Sequence, residues 1–254
     1  MMKLDEKVIL ITGACGLIAG ELIQALNRKN ANLLLVDSDE EKLVALHDNL
    51  NSSRAYYFPS NLLDVENHDK IINFAKSTFG KLDCAIHLAY PRSTAWGTPF
   101  GKLTQTFLNE DLKNQLALPI LLSQSILNFF EKQKFGNLIH VSSIQGVSSP
   151  KFEHYSGTNM VSPIEYTAVK TALISITKYL AKLYKGKNIR INCISPGGVQ
   201  GGQPNIFLEK YRSSCCNKGI LDPEDLVGAF LFLISDESQF INGQNIIVDD
   251  GWSL

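Results

Sequence analysis

Short apolar runs rich in β-branched residues alternate with helix-length amphipathic segments from one end of this chain to the other, a pattern that few folds accommodate. The apolar runs fall at 8–12, 32–36, 55–58, 84–88, 137–142, 190–194 and 245–248. The amphipathic segments fall at 17–28, 40–49, 64–79, 112–132, 163–184 and 223–235. Strand, helix and strand in succession form a parallel pair with a right-handed crossover, which puts helices on both faces of the sheet. The expected architecture is an α/β fold: one doubly wound sheet of about seven mostly parallel strands, in a single domain spanning 1–254. No break in composition, internal repeat or low-complexity tract divides the chain.

Composition narrows the partner class. Lys and Arg number 24 against 25 Asp and Glu, a net charge of −1, so the chain has no field that would recruit nucleic acid or an anionic membrane. The partner expected is a small-molecule substrate. The greasiest stretch, 116–130, is broken by Ser123, Gln124, Ser125 and Asn128 and falls short of a membrane span. The first residues run straight into the apolar Val8 with no cleavage-site pattern, so a first strand is expected and a signal peptide is not. The five cysteines are an odd number without disulfide or zinc spacing, which fits a reducing, cytoplasmic setting and predicts no metal site.

Three Gly-, Pro- and Ser-rich segments interrupt the alternation just after the fourth, fifth and sixth strands, and substrate loops are expected at about 90–101, 145–162 and 197–220. In an open α/β sheet, ligands bind beyond the carboxyl ends of the strands. The segment from Thr12 to Gly20 joins the first strand to the first helix. Gly13 suits the tight turn and Gly16 lets the backbone approach a pyrophosphate. Cys15, Leu17 and Ile18 bring backbone N–H groups of a helix start, and Ala19 is small enough for close packing. Asp37 closes the second strand, where a carboxylate accepts from the hydroxyls of an adenosine ribose and repels a 2′-phosphate. NAD(H) is therefore expected over NADP(H); a helix-capping Asp is the other reading of Asp37.

Tyr166 and Lys170 stand four residues apart, on one face of a helix. A cation near a phenol favours the phenolate, so Lys170 is expected to lower the Tyr166 pKa and make it a usable acid/base. Spacing alone leaves an ordinary surface pair open. With the Gly-rich turn, Asp37, Ile139-His140-Val141-Ser142-Ser143, Ser195-Pro196-Gly197-Gly198-Val199 and the ending 241–252, however, the chain resembles the short-chain dehydrogenase/reductase family over essentially its whole length. The resemblance implies a Rossmann-type fold, Tyr166 as acid/base, Lys170 as orienter of the nicotinamide ribose, and Ser143 rather than Ser142 on the substrate oxygen. It places Ala89, Pro196, Gly197, Gly198 and Val199 toward the nicotinamide end. Asn61, with Leu62, falls where the adenine edge is met, and Asp64 is the alternative. Homodimers or homotetramers are implied as well.

The chain departs from the family pattern in places. His87-Leu88-Ala89-Tyr90 stands where the family has Asn-Asn-Ala-Gly, and Gln115, with Asn114 before it, falls on the relay asparagine. His87 reads as a buried structural histidine or a polar lining residue. Between Ser143 and Tyr166 lie 22 residues, more than the family commonly has, and the polar, aromatic insertion 150–160 points to a polar substrate. Arg92 and Lys151 are the candidate anchors for a phosphate or carboxylate, and His154 and Tyr155 are candidate substrate contacts. Cys215 and Cys216 read as packing residues. The residues around Ala89–Arg92, Pro150–Glu153 and Gly197-Gly198 resemble the flagellin-modification oxidoreductases of bacterial legionaminic-type sugar pathways, which implies a phosphorylated or nucleotide-activated sugar. The alternatives are a 3-oxoacyl-thioester reductase and an NAD-binding regulator without turnover.

Overall fold

The computed structural model describes residues 2–254. Its strands β1 (Val8–Thr12), β2 (Asn32–Asp37), β3 (Ala55–Pro59), β4 (Cys84–His87), β5 (Gly136–Val141), β6 (Ile189–Pro196) and β7 (Asn245–Val248) form one sheet ordered β3-β2-β1-β4-β5-β6-β7. Every adjacent pair is parallel, where the sequence suggested mostly parallel. The helices are α1 (Leu17–Asn27), α2 (Glu40–Leu50), α3 (Glu66–Phe79), α4 (Gln105–Leu112), α5 (Leu118–Gln133), α6 (Ile164–Leu183), α7 (Asn205–Arg212) and α8 (Val227–Ile234).

The strands read as continuous apolar runs because both of their faces are covered. In β1, Ile9 and Ile11 join one core with Leu33, Leu35 and Ile86, closed by Leu22 and Leu26 of α1 and Phe230 of α8. Val8 and Leu10 join the other with Leu34 and Val36, closed by Ile71 of α3 and Leu127 and Phe130 of α5. Each such side chain contributes about 1.5–3 kcal/mol by burial, and the two-sided sheet collects this on every residue of its central strands.

Two local features depart from the helices expected. The segment expected as one helix over 112–132 begins earlier, at Gln105, and is interrupted by a wide π-helical turn, Lys113–Ala117, between α4 and α5. The expected loop 197–220 contains α7, an eight-residue helix entered through Pro204 and too short to show a clear period.

Chain direction reverses between β1 and β4: from β1 the chain winds outward to β2 and β3, and from β4 to β5 and onward. Gly13, at the carboxyl end of β1, faces the loop that follows β4. A Cβ on Gly13 would sit 2.6 Å from the Ala89 backbone nitrogen, and its φ is +71°, so the close approach of the two loops requires glycine.

Candidate active site

Two cavities of about 460 Å³ each open above the carboxyl ends of the strands. They share walls at Leu17, Ile18, Ala89, Tyr90, Arg92 and Val199.

The first cavity gathers Gly13, Cys15, Gly16, Asp37, Asn61 and Leu62, which the sequence pattern had assigned to a nucleotide. Gly16 is the N-cap of α1, so free N–H groups at the helix start face the cavity. Asp37 braces the turn: its Oδ2 accepts from the Cys15 N–H at 2.9 Å and its Oδ1 from the Asp39 N–H at 3.2 Å. Each oxygen keeps a further lone pair. The Asn61 side chain is partly committed, its Oδ1 accepting from the Leu63 N–H at 3.1 Å, which leaves the amide N–H₂ for a ligand. Asp64 does not line this cavity. Ser60 and Lys42 line it too, although sequence reasoning did not single them out. The Ser60 hydroxyl is buried without a partner, and Lys42 is paired with Asp39 at 2.6 Å. A helix start facing the cavity and an orphaned hydroxyl in its wall fit a dinucleotide.

The second cavity brings together Ser143, Tyr166, Lys170, Gln115, Pro196, Gly197 and Val199. Ser143 stands two residues beyond the end of β5 and lines the cavity, whereas the Ser142 hydroxyl is spent on the Lys170 carbonyl at 2.6 Å. Lys170 is buried and donates from Nζ to the Val141 carbonyl at 3.0 Å. Burial holds its pKa down to about 8. Burial dominates and pushes the Tyr166 phenol up, against the pull of the nearby Ser143 hydroxyl. The Lys170 Nζ stands 5.6 Å from the Tyr166 ring centre.

His87 is buried at the end of β4 and also lines the second cavity, so both readings of it stand. Its Nδ1 is hydrogen-bonded to the Thr12 hydroxyl at 2.9 Å, and burial, with His140 and Lys170 adding to it, holds its pKa down at about 3. Gln115 is buried and fully engaged, accepting the Tyr90 hydroxyl proton on Oε1 at 2.5 Å and donating from Nε2 to Asp111 Oδ1 at 3.2 Å. The wide turn adds one residue to the helical register, which buries Asn114 and Gln115 side by side.

Of the four candidate substrate contacts, Arg92, His154 and Tyr155 line the second cavity and Lys151 does not. Lys151 does not reach the cavity; its Nζ donates to the Trp252 carbonyl at 3.0 Å and lies 4.8 Å from the Trp252 ring centre. His154 lines the cavity as a packed ring among Phe207, Tyr211 and Trp252, with Nε2 hydrogen-bonded to the Ser214 hydroxyl at 2.9 Å. Tyr155 lines it too, its hydroxyl accepting from Gln145 Nε2 at 3.1 Å. Arg92 is exposed at the rim common to both cavities, 4.8 Å above the Trp96 ring. The insertion expected to roof the site with polar groups turns Tyr155 and Met160 inward against Phe207 and Tyr211, packs Lys151 on Trp252, and leaves Glu153 exposed. The walls the sequence did not reveal, Trp96, Phe207, Tyr211 and Trp252, are aromatic. Of these, only Trp252 lay in a recognised motif. Burial, with Asp250 and Asp249 adding to it, pushes the Cys215 thiol up to about 11, consistent with packing.

Comparison with known proteins agrees with this geometry. The family model described as Enoyl-(Acyl carrier protein) reductase matches residues 13–253. The Post-translational flagellin modification protein A of Campylobacter coli is 38% identical, over 99% of this chain and all of the relative. A 3-oxoacyl-[acyl-carrier-protein] reductase of Rickettsia felis is 27% identical over 99% of this chain and 98% of its own. The crystal structure of a short chain dehydrogenase from Leptospira borgpetersenii with bound NAD+ superposes with a TM-score of 0.89 at 28% identity, over 99% of this chain and 94% of that one. By its sheet order, its site and these relatives, the chain belongs to the short-chain dehydrogenase/reductase family of oxidoreductases.

Proposed function

We propose that this protein uses NAD(H) to interconvert a secondary alcohol and a ketone on a polar, sugar-derived substrate, phosphorylated or nucleotide-activated. The observation that carries the reading is the convergence of Ser143, Tyr166 and Lys170 on one cavity that opens, past Ala89 and Val199, into a second one holding the Gly-rich turn and Asp37. The nicotinamide, when bound, supplies or accepts the hydride. Tyr166 gives its hydroxyl proton to the substrate oxygen in reduction and takes one in oxidation, and Ser143 donates a hydrogen bond to that same oxygen. Lys170 keeps a positive charge beneath the pair and has N–H donors left over for ribose hydroxyls.

Asp37 supports NAD(H): its lone pairs suit ribose hydroxyls, and with Asp39 beside it a 2′-phosphate meets two carboxylates. Lys151 being spent on Trp252, Arg92 is left as the anchor for an anionic group. The aromatic walls match the apolar faces of a sugar ring. The relative from Campylobacter coli, with flagellin modification in its name, favours this substrate class. No helix among the described residues is long and apolar enough to cross a membrane, and all five cysteines are free, which favours a cytoplasmic enzyme. Exposed apolar residues on α4, α5 and α6, among them Phe107, Ile120, Leu121 and Tyr179, support a homo-oligomer.

A 3-oxoacyl-thioester reductase is the second reading, favoured by the description of the family model and by the relative from Rickettsia felis. Thermal unfolding with NAD(H), NADP(H), nucleotide sugars and acetoacetyl thioesters separates the two, since a ligand of the native state raises the midpoint. The proposal predicts shifts with NADH and a nucleotide sugar. Shifts with NADPH and an acyl thioester alone would reverse the ranking.

A further inference from the structure

Tyr90 follows Ala89 at the point where the two cavities meet and lines both of them. Its ring stands edge to face with Tyr166, 5.6 Å between centres at 89°. The Lys170 Nζ lies 4.7 Å from its ring centre, closer than to that of Tyr166. That ammonium is buried and has three N–H donors, of which one meets the Val141 carbonyl, so a π face is the remaining favourable surface for its charge.

The ring is held in place. The Tyr90 hydroxyl donates to Gln115 and accepts from Trp96 Nε1–H at 3.0 Å. Gln115 is fixed in turn by Asp111, whose Oδ1 also accepts the Ser93 N–H at 3.1 Å. The wide turn that aims Gln115 inward therefore pins the loop carrying Tyr90. The titratable groups around this cluster are Tyr166 and Glu165 on α6, Asp111 on α4, and Cys193 and His87 on β6 and β4. Asp111 Oδ2 and both Glu165 oxygens are buried without partners. Burial raises the Tyr90 phenol against the pull of the Trp96 N–H, so the ring stays neutral and its π face intact.

We propose that Tyr90 is a positioning residue for the catalytic pair: its ring is the platform on which the Lys170 ammonium rests, and its hydroxyl, anchored on Gln115, fixes that platform against Tyr166. The inference builds on the proposed roles of Tyr166 and Lys170, but its main test needs no turnover. Competitive acetylation of the cofactor-free protein across pH, read at Lys170 by mass spectrometry, gives the titration midpoint of that amine in wild type, Tyr90→Phe and Tyr90→Leu.

Tyr90→Phe keeps the ring but loses the hydroxyl anchor, and is expected to lower the midpoint by clearly less than Tyr90→Leu does; a drop equal to that of the leucine variant would overturn the role of the ring. Tyr90→Leu removes the π face and is expected to lower it by roughly one to one and a half units, the worth of a desolvated cation–π contact. The alkaline limb of kcat/KM should move down with it, with about a tenfold loss of kcat/KM at pH 8. Tyr90→Met repeats the test if the leucine variant folds poorly. A midpoint that stays or rises in both ring-less variants would overturn the proposal, because the ring would then act only as a wall against water. A catalytic limb that does not move while the midpoint does would overturn the link to catalysis.

Discussion

Replacing Gly13 by alanine is expected to damage the protein at the crevice between β1 and β4. An alanine at φ +71° carries about 1–2 kcal/mol of left-handed strain. Its Cβ would also lie 2.6, 2.7 and 2.8 Å from backbone atoms of Ala89 and Leu88, which cannot rotate away as a side chain does. Overpacking of that kind costs about 1–3 kcal/mol. The sum, about 2–5 kcal/mol, corresponds to a fall in melting temperature of roughly 4–20 °C for a chain of this size. Gly20 provides the opposite case: it lies within α1 with nothing within 4 Å of its added Cβ, so Gly20→Ala is expected to stabilise by about 0.5–1 kcal/mol. Differential scanning calorimetry of both variants, with and without NADH, measures the two signs together. A Gly13→Ala protein with unchanged melting temperature and an unchanged NADH-induced shift would refute the close-approach reasoning.

Acid stability should depend on His140, whose pKa burial lowers from 6.5 to about 4. Between those values the unfolded chain holds the extra proton, so stability is intact above pH 6.5 and falls as pH drops. One such site contributes up to about 1.4 kcal/mol per pH unit. His140→Gln should flatten the slope of unfolding free energy between pH 6 and 4.5 by about that amount, read by urea titration; an unchanged slope contradicts it. Asp37→Ala is expected to reduce the ratio of kcat/KM with NADH to that with NADPH by about tenfold or more, measured by initial rates, and an unchanged ratio removes Asp37 as the discriminator. Leu121→Glu, on the exposed apolar part of α5, should lower the mass measured by light scattering toward that of one chain. An unchanged mass would place any interface elsewhere.

The strands were legible because two-sided burial leaves an unbroken apolar run, as in Val8–Thr12, and the turn from Gly13 to Gly16 declared itself by its place after such a run. Asp37 was legible because it ends a strand, and Ser143 because the serine pair just beyond β5 matches the family pattern. Lys151 was not legible. Its charge is used by Trp252, 101 residues away, a contact that depends on how the C-terminal segment packs on the insertion. His154 was absorbed the same way by Ser214, 60 residues on. Gln115 was found by register, but its commitment to Tyr90 and Asp111 follows from the wide turn, for which spacing offers no signal. The burial of Tyr166, which pushes its phenol up, was not visible in the spacing of Tyr166 and Lys170.

The central claim is that Tyr166 moves the proton while NAD(H) exchanges a hydride with a sugar-derived substrate. The direct measurement is single-turnover NADH oxidation, followed at 340 nm, with a panel of keto-sugar phosphates and nucleotide sugars, for wild type and Tyr166→Phe. The account predicts turnover by the wild type on at least one member and a loss of about 10²-fold or more in the variant, with NADH binding retained in both. Tight NADH binding with no turnover across the panel, or equal rates for the two proteins, would contradict it.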